Sequence, residues 1–169
     1  MSAVLTAWNN ADEATATHAM LSCCGAHRWA SAMVAQRPIP DVIGLSMTAD
    51  RIWAKMLEPD WMEAFACHPR IGARKVSSAT RQSAEWSRQE QSSTNTASDQ
   101  VLNELAEANE LYEQRFGFTY IVCATGKSAD EMLAILSRRL SSDRASELRE
   151  AAEQQRQIMQ VRLGKWLVS

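Results

Sequence analysis

The sequence predicts an all-α protein, and three observations support that prediction. Glycine and proline are scarce, with 6 and 4 in 169 residues, and they stand where helices are expected to end. Apolar residues recur at three-to-four-residue spacing along most of the chain, which is the period of an amphipathic helix. Only the stretch 118–124 has the aromatic and β-branched character of an extended segment. We therefore expect a single domain over 1–169, a bundle of about eight helices with one extended segment near 117–124.

Charge and cysteine usage exclude several classes of partner. The 18 basic and 20 acidic residues are interspersed and give a net charge of -2, so the chain lacks the basic footprint of a nucleic-acid-binding protein. The four cysteines form no Cys-x-x-Cys motif, which argues against a zinc or redox site. There is no secretory signal pattern and no apolar run of about 18 residues. We expect a cytoplasmic protein that binds neither nucleic acid nor membrane and holds no metal.

Capping residues and helix-stop signals locate the first two predicted helices. Asn9 and Asn10 are expected to open the first helix, which ends near 24–25. The second carries Trp29 and Met33 one turn apart on its apolar face. The Pro-rich stretch that begins at Arg37 then reads as a connector.

The next two predicted helices are followed by a motif that suits an acid/base site. Thr48 is expected to cap the third helix, and Pro59 is expected to begin a short fourth one. At the exit of that helix stands the run Cys-His-Pro-Arg-Ile-Gly at 67–72. The proline biases His68 towards an extended backbone, and histidine titrates nearest to neutrality, at about 6.5 when unperturbed. The run suits an acid/base group held at a helix exit, and also a histidine that only ends a helix.

Residues 73–98 are polar, and their composition allows either a solvated helix or a mobile loop. A helix over about 78–91 would place Ser87, Glu90 and Gln91 on one face at i, i+3 and i+4. That face is either part of a polar site or ordinary solvated surface.

The following segment combines a regular helix with the extended stretch. Apolar spacing predicts an amphipathic helix over 99–116 that Gly117 closes. The extended stretch 118–124 leaves backbone amides without helical partners, so they must bond side chains, water or a ligand. Ser128 and Glu131 fit a capping box that opens the next helix.

The last predicted helix, over about 143–167, presents an arginine on its inward face. Burying a guanidinium without an anion is costly, so Arg162 requires a carboxylate partner, a ligand anion or a route by which it snorkels to the edge. All three explanations remain open. The inward stripe contains Leu148, Ala152, Gln155, Met159, Arg162 and Trp166.

Four motifs in order resemble one enzyme family. They are His-Pro-Arg-Ile-Gly at 68–72, Ser-x-x-Glu-Gln at 87–91, Asn-x-x-Tyr-x-x-x-Phe-Gly-Phe at 109–118 and Arg-Leu at 162–163. This set resembles the 2-oxo-4-hydroxy-4-carboxy-5-ureidoimidazoline (OHCU) decarboxylases of urate breakdown. The resemblance implies an all-helical enzyme without a cofactor, commonly a homodimer, that converts this ureidoimidazoline to (S)-allantoin and carbon dioxide.

The resemblance also implies roles for individual residues. His68 would carry the acid/base chemistry, with Glu90 as its partner. The chain departs from the family at 92–95, where Ser-Ser-Thr-Asn replaces a small turn, and at Tyr120, where the family has phenylalanine. The edges of the pocket are therefore expected to differ. The substrate-binding positions implied are Pro69, Ser87, Gln91, Phe118, Tyr120, Ile121, Val122 and Arg162.

Two other functions compete with this hypothesis. A non-enzymatic helical interaction module would use the apolar stripes as a core or interface, and His68, Glu90 and Arg162 would then share no cleft. A hydrolase of a related ureido ring, such as 5-hydroxyisourate, would need a positioned water and would release no carbon dioxide.

Overall fold

The computed structural model describes residues 2–72 and 80–169, and these residues are all-α. Within those ranges there are nine α-helices, one 3-10 helix (Ser92–Thr96) and no strand, so the predicted fold class is confirmed with one helix more than expected. The stretch 117–124 is neither helix nor strand, which agrees with the predicted interruption. The helices are α1 (Ala3–Asn10), α2 (Glu13–Cys23), α3 (His27–Val34), α4 (Val42–Trp53), α5 (Glu58–Ala66), α6 (Arg81–Glu90), α7 (Asp99–Phe116), α8 (Ala129–Arg139) and α9 (Arg144–Trp166).

The chain divides into two compact units. The first comprises Met1–Ala64 and Arg156–Ser169, and the second comprises Phe65–Gln155. Nine of the ten residues predicted for catalysis or substrate binding belong to the second unit, and Arg162 belongs to the first. A single domain over the whole chain stays a prediction.

The additional helix lies at the N-terminus and corrects the predicted start of the first helix. Asn9 and Asn10 end α1 instead of opening a helix. The cap of α2 is Asp12, whose carboxylate accepts from the Thr15 backbone N–H at 2.8 Å. Asn9 is engaged elsewhere, because its side chain donates to the Ile39 carbonyl at 2.8 Å and accepts from the Ile39 N–H at 2.9 Å.

The predicted cap of the third helix was also wrong. Asp41 caps α4, since its carboxylate accepts from the Gly44 N–H at 2.7 Å. Thr48 therefore lies in the interior of α4. Acidic side chains are as effective at N-caps as hydroxyls, and here Asp41 comes first along the chain.

The core of the first unit is built from successive helix pairs, with α1 against α2, α2 against α3 and α3 against α4. Two fully or nearly fully buried tryptophans join these layers. Trp8 donates its indole N–H to the Ala16 carbonyl at 3.0 Å, and Trp29 donates to the Ala49 carbonyl at 3.2 Å. Both large rings are thus buried without an unpaired donor.

In the second unit α7 packs against α8. As predicted, α7 runs over 99–116, and Gly117 closes it with φ +82° and an N–H that donates to the Glu113 carbonyl at 2.8 Å. The predicted capping box is also confirmed, because the Ser128 hydroxyl accepts from the Glu131 N–H at 3.1 Å. These two ends fix the length of the irregular stretch between the helices.

Candidate active site

His68 lies just past the end of α5, as the sequence predicted. Its backbone N–H donates to the Phe65 carbonyl at 3.1 Å, which continues the helical turn by one residue. Its ring nitrogen Nε2 lies 2.7 Å from Oε1 of Gln155 on α9. The imidazole is half-buried. His68 is therefore held at the backbone and at the ring, as a positioned acid/base group requires.

The residues that follow His68 are tied to two other helices. Arg70 donates to Glu113 of α7 through Nε at 2.8 Å and Nη2 at 2.5 Å, and this hydrogen-bonded pair raises the pKa of Arg70. Gly72 donates its N–H to Oε1 of Gln91 at 3.0 Å. Gly72 has φ +88°, a left-handed conformation that glycine adopts without strain. The motif is thus a clamped loop.

Helix α6 carries the second predicted motif. Thr80 caps it by accepting from the Ser83 N–H at 3.0 Å, so the helix is shorter than the predicted 78–91. Ser87 is 3% exposed and Glu90 is half-buried, one turn apart on the same helix. The prediction for residues 73–79 lies outside the described part of the chain.

Gln91 ends α6 and connects two of the predicted motifs. Its side-chain oxygen accepts from Gly72, so the His-Pro-Arg-Ile-Gly loop and the Ser-x-x-Glu-Gln motif meet in the structure. That hydrogen bond leaves the amide Nε2 group of Gln91 as the end suited to a ligand acceptor. The pairing of His68 with Glu90 stays a prediction.

The irregular stretch after Gly117 is buried, as expected for a wall of the site. Phe118 is 6% exposed and Tyr120 is 1% exposed, and Ile121 and Val122 are buried beside them. The Phe118 ring lies 5.4 Å from that of Phe65, one helical turn before His68. Aromatic packing therefore connects the predicted wall to the end of α5.

A buried ion pair, which the sequence analysis did not identify, supports the same stretch. Arg139 of α8 donates through Nε to Glu147 at 2.6 Å and through Nη1 to the Ile121 carbonyl at 2.6 Å. Arg139 is 6% exposed and Glu147 is 1% exposed. The Tyr112 hydroxyl also donates to Glu147. Ile121 lies outside regular secondary structure, so its carbonyl has no helix or sheet donor, and the Arg139 guanidinium supplies the hydrogen bond instead.

The network perturbs the ionisation of its members. Burial is the largest single influence on the pKa of Arg139 and lowers it, but the hydrogen bond to Glu147 and the charge interactions with Tyr112, Glu147 and Tyr120 together outweigh burial, so the pKa is raised. Burial, and then the hydrogen bond to Glu147, raises the pKa of Tyr112 above its usual value. Burial also raises the pKa of Tyr120, against the opposing charge of Arg139. The arginine stays charged and both tyrosines stay neutral near neutral pH.

An open cleft of about 520 Å³ lies against part of this network. It is lined by Val122, Lys127, Arg138 and Gln154, among others. The Gln154 side chain accepts from the Cys123 N–H at 2.9 Å, which satisfies one backbone amide of the extended stretch. Of the residues predicted for the site, Val122 alone lines this cleft.

Arg162 belongs to the first unit, and it is 2% exposed. Snorkelling to the surface is therefore wrong as an explanation for its inward position, which leaves a buried carboxylate or a ligand anion. Its charge acts on Cys23, where burial raises the pKa of the thiol and Arg162 partly opposes that rise.

Gln155 is the residue at the site that sequence reasoning missed. It was placed on the inward stripe of the last helix but given no role. The signal was present, because a glutamine among apolar neighbours on a buried face needs polar partners. The structure supplies His68 as one of them.

The described residues form neither a metal site nor a membrane-spanning helix. Among residues 2–72 and 80–169, no group of three or more His, Cys, Asp or Glu side chains is arranged to hold a metal ion. No helix in the part of the chain that the structure describes is both long enough and apolar enough to cross a membrane.

Comparison with known proteins identifies relatives of this chain. A relative from Arabidopsis thaliana, the uric acid degradation bifunctional protein TTL, is 38% identical over 145 residues, which are 85% of this chain and 44% of the relative. The 2-oxo-4-hydroxy-4-carboxy-5-ureidoimidazoline decarboxylase of Amia calva is 28% identical over 97 residues, which are 57% of this chain and 55% of the relative. The chain thus spans about half the length of these curated relatives.

Solved structures and a family model agree with these matches. A crystal structure of an OHCU decarboxylase in the presence of (S)-allantoin has a TM-score of 0.77 and 32% identity, covering 94% of this chain and 100% of that one. A crystal structure of (S)-allantoin synthase, at 17% identity, supports the fold alone, with a TM-score of 0.71 over 96% of this chain and 53% of that one. The family model described as OHCU decarboxylase matches residues 9–164. The chain therefore belongs to the OHCU decarboxylase family.

Proposed function

We propose that this protein decarboxylates 2-oxo-4-hydroxy-4-carboxy-5-ureidoimidazoline to (S)-allantoin and carbon dioxide, without a cofactor, in urate catabolism. The observation that carries the proposal is the clamped position of His68. Its ring is hydrogen-bonded at 2.7 Å, and the loop that follows is tied to α6 and α7. Positioned acid/base groups typically contribute about 10² to 10⁴ in rate.

The chemistry of the substrate explains why such a site suffices. The departing carboxylate and a hydroxyl share one ring carbon, beside a C=N carbon that bears the ureido group. The electron pair of the breaking carbon–carboxylate bond moves towards that C=N bond, so the substrate is its own electron sink. The protein then has to orient the ring, place charge and move protons.

We assign the proton transfers to His68. Its imidazole accepts the proton of the substrate hydroxyl as carbon dioxide leaves, and Glu90 stabilises the resulting imidazolium. A proton delivered to one face of the ureido-bearing carbon sets the handedness of the product. A fixed donor can select a face, and bulk water cannot.

The remaining predicted residues bind the substrate. Arg162 offers a bidentate contact to an anionic or carbonyl edge, and Gln91 offers an amide to the ureido or ring edge. We propose that Ser87, Pro69 and the buried stretch containing Phe118, Tyr120, Ile121 and Val122 complete the pocket.

The decisive experiment generates the ureidoimidazoline fresh from urate with upstream enzymes and adds the protein. Carbon dioxide release and the circular dichroism of allantoin are followed together. Accelerated release with (S)-allantoin, absent in His68→Ala, supports the proposal. Consumption without carbon dioxide would instead indicate a hydrolase. No acceleration by folded protein over spontaneous decay would favour the interaction module.

We further propose that the protein is a cytoplasmic homodimer of one-domain subunits. These assignments rest on the family resemblance and on the size of the chain. Light scattering coupled to size-exclusion chromatography measures the mass in solution directly, and a monomer at micromolar concentration would contradict the dimer.

A further inference from the structure

Gln155 is fully buried, and yet only one end of its amide is paired within the part of the chain that the structure describes. Its Oε1 lies 2.7 Å from Nε2 of His68, and its own Nε2 group has no hydrogen-bond partner among the described residues. The exposed fraction of the residue is 0%. A buried amide donor without a partner is destabilising, so stability alone does not account for a glutamine at this position.

The identity of the paired atom determines the protonation of the ring. A carbonyl oxygen can only accept, so Oε1 of Gln155 requires that Nε2 of His68 carry a hydrogen. In the neutral imidazole the other nitrogen, Nδ1, is then the basic atom. The reversed amide would donate to Nε2 and would require the opposite tautomer. The two amide orientations therefore predict different basic atoms on His68: Nδ1 when the amide oxygen faces the ring, and Nε2 when the amide nitrogen faces it.

We propose that Gln155 is a positioning residue for His68: its side-chain oxygen holds the ring as the Nε2–H tautomer, so that Nδ1 is the atom that accepts the substrate proton. This proposal rests on the proposed function for the identity of that substrate. The amide group beside the ring points to a ligand, because an oxygen-rich substrate supplies the acceptor that residues 2–72 and 80–169 lack. The same hydrogen bond persists when the ring becomes an imidazolium, since Nε2 keeps its hydrogen in both states.

Ring nitrogen NMR tests the proposal on the protein without substrate. The chain has three histidines, His18, His27 and His68, and the His68 signals are assigned by their loss in His68→Asn. In long-range ¹H–¹⁵N spectra above the imidazole pKa, the wild type should show His68 with its hydrogen on Nε2. Gln155→Leu should lose that preference, and Gln155→Glu should retain it and raise the pKa of His68, since a carboxylate favours the imidazolium. A hydrogen on Nδ1 in the wild type, or an unchanged tautomer in Gln155→Leu, would overturn the proposal.

Kinetics and stability separate a positioning role from a structural one. Gln155→Leu should lower kcat by about 10- to 100-fold, the range typical for groups that orient a metal-binding histidine. Its unfolding midpoint should be equal to or higher than that of the wild type, because the unpaired buried donor is gone. Gln155→Glu should recover part of kcat. A lower midpoint with unchanged kcat would make Gln155 structural only.

Gln114 provides the matched control, because it is an exposed glutamine on α7. Gln114→Leu and Gln114→Glu should leave the His68 tautomer, its pKa and kcat unchanged. The two proposals can fail separately. If the wild type releases no carbon dioxide but His68 keeps the Nε2–H tautomer and loses it in Gln155→Leu, the positioning role stands and the proposed reaction falls.

Discussion

Arg70 and Glu113 form a two-pronged ion pair that ties the loop after His68 to α7. Nε of Arg70 lies 2.8 Å from Oε1 of Glu113, and Nη2 lies 2.5 Å from Oε2. The arginine side chain is 47% exposed and the carboxylate 26%. The fork geometry of a guanidinium fixes direction as well as distance. The pair therefore constrains the loop more than it stabilises the fold.

We expect Glu113→Gln to reduce kcat of the proposed decarboxylation severalfold while the urea midpoint hardly changes. Exposed ion pairs typically contribute only about 0–1 kcal/mol to the free energy of unfolding, but a loosened loop misplaces His68. Glu63→Gln is the matched control, because it removes an exposed partner of His27 in the first unit. Unchanged kcat in Glu113→Gln would contradict a role in positioning.

Glu90→Ala should lose about 10² to 10⁴ in kcat, and His68→Asn should abolish turnover, because the two groups are proposed to act together in proton transfer. The far-ultraviolet circular dichroism of both variants should match the wild type. Glu85→Ala on the same helix is the control and should keep full activity, since its ion pair with Arg88 is exposed. Near-normal turnover in His68→Asn would remove His68 from the mechanism.

Arg162→Ala should chiefly raise KM, by the equivalent of about 2 to 5 kcal/mol if a buried partner charge is left uncompensated. The guanidinium is 2% exposed, so its loss is not screened by water. Arg156→Ala on the same helix is the control, because that arginine is partly exposed and pairs with Asp50 at 3.2 Å. A KM equal to that of the wild type would leave Arg162 with a structural role.

Arg139→Met should lower the free energy of unfolding by about 3 to 5 kcal/mol, since it leaves Glu147 buried without a counter-charge. The double variant Arg139→Met with Glu147→Leu should recover much of that loss, because no charge remains buried. Urea unfolding measures both. Arg138→Met is the control, because Arg138 is the exposed neighbour of Arg139, and it should change the free energy of unfolding little. A double variant no more stable than the single one would refute the buried-charge explanation.

The two tyrosines should make stability fall at alkaline pH. Tyr112 and Tyr120 are the only tyrosines in the chain, and both have a pKa raised above the usual 10.0. Above about pH 10 the unfolded chain releases protons that the folded chain retains, so stability decreases by up to about 1.4 kcal/mol per pH unit for each tyrosine. Below that pH this contribution is fully present.

Phenolate absorbance checks this expectation. In the folded protein it should rise only together with the loss of helical circular dichroism, whereas protein in urea should titrate near pH 10. A rise near pH 10 with the helices intact would show that the tyrosines are accessible.

Local signals were sufficient for much of the fold. The range of α7, its closure by Gly117 and the Ser128 cap were predicted because each depends on residues within one or two turns. The position of His68 at a helix exit followed in the same way. Helix α1, which was not predicted, carries Leu5 and Trp8 on one buried face, but no side chain caps its N-terminus, so the local signal for its start is missing. Asn9 was predicted to open a helix, but its side chain forms hydrogen bonds with the backbone of Ile39 instead of with a helix N-terminus.

The sequence by itself determined the helical period, most helix ends, the family motifs and the inward position of Arg162. Only the tertiary structure decided that Gln155 meets His68, 87 residues away in the chain, and that Arg139 reaches both Glu147 and the Ile121 carbonyl. The physical reason is the separation along the chain over which each interaction acts. Caps and amphipathic spacing act between near neighbours, whereas a buried polar group takes whichever partner the folded core brings within about 3 Å.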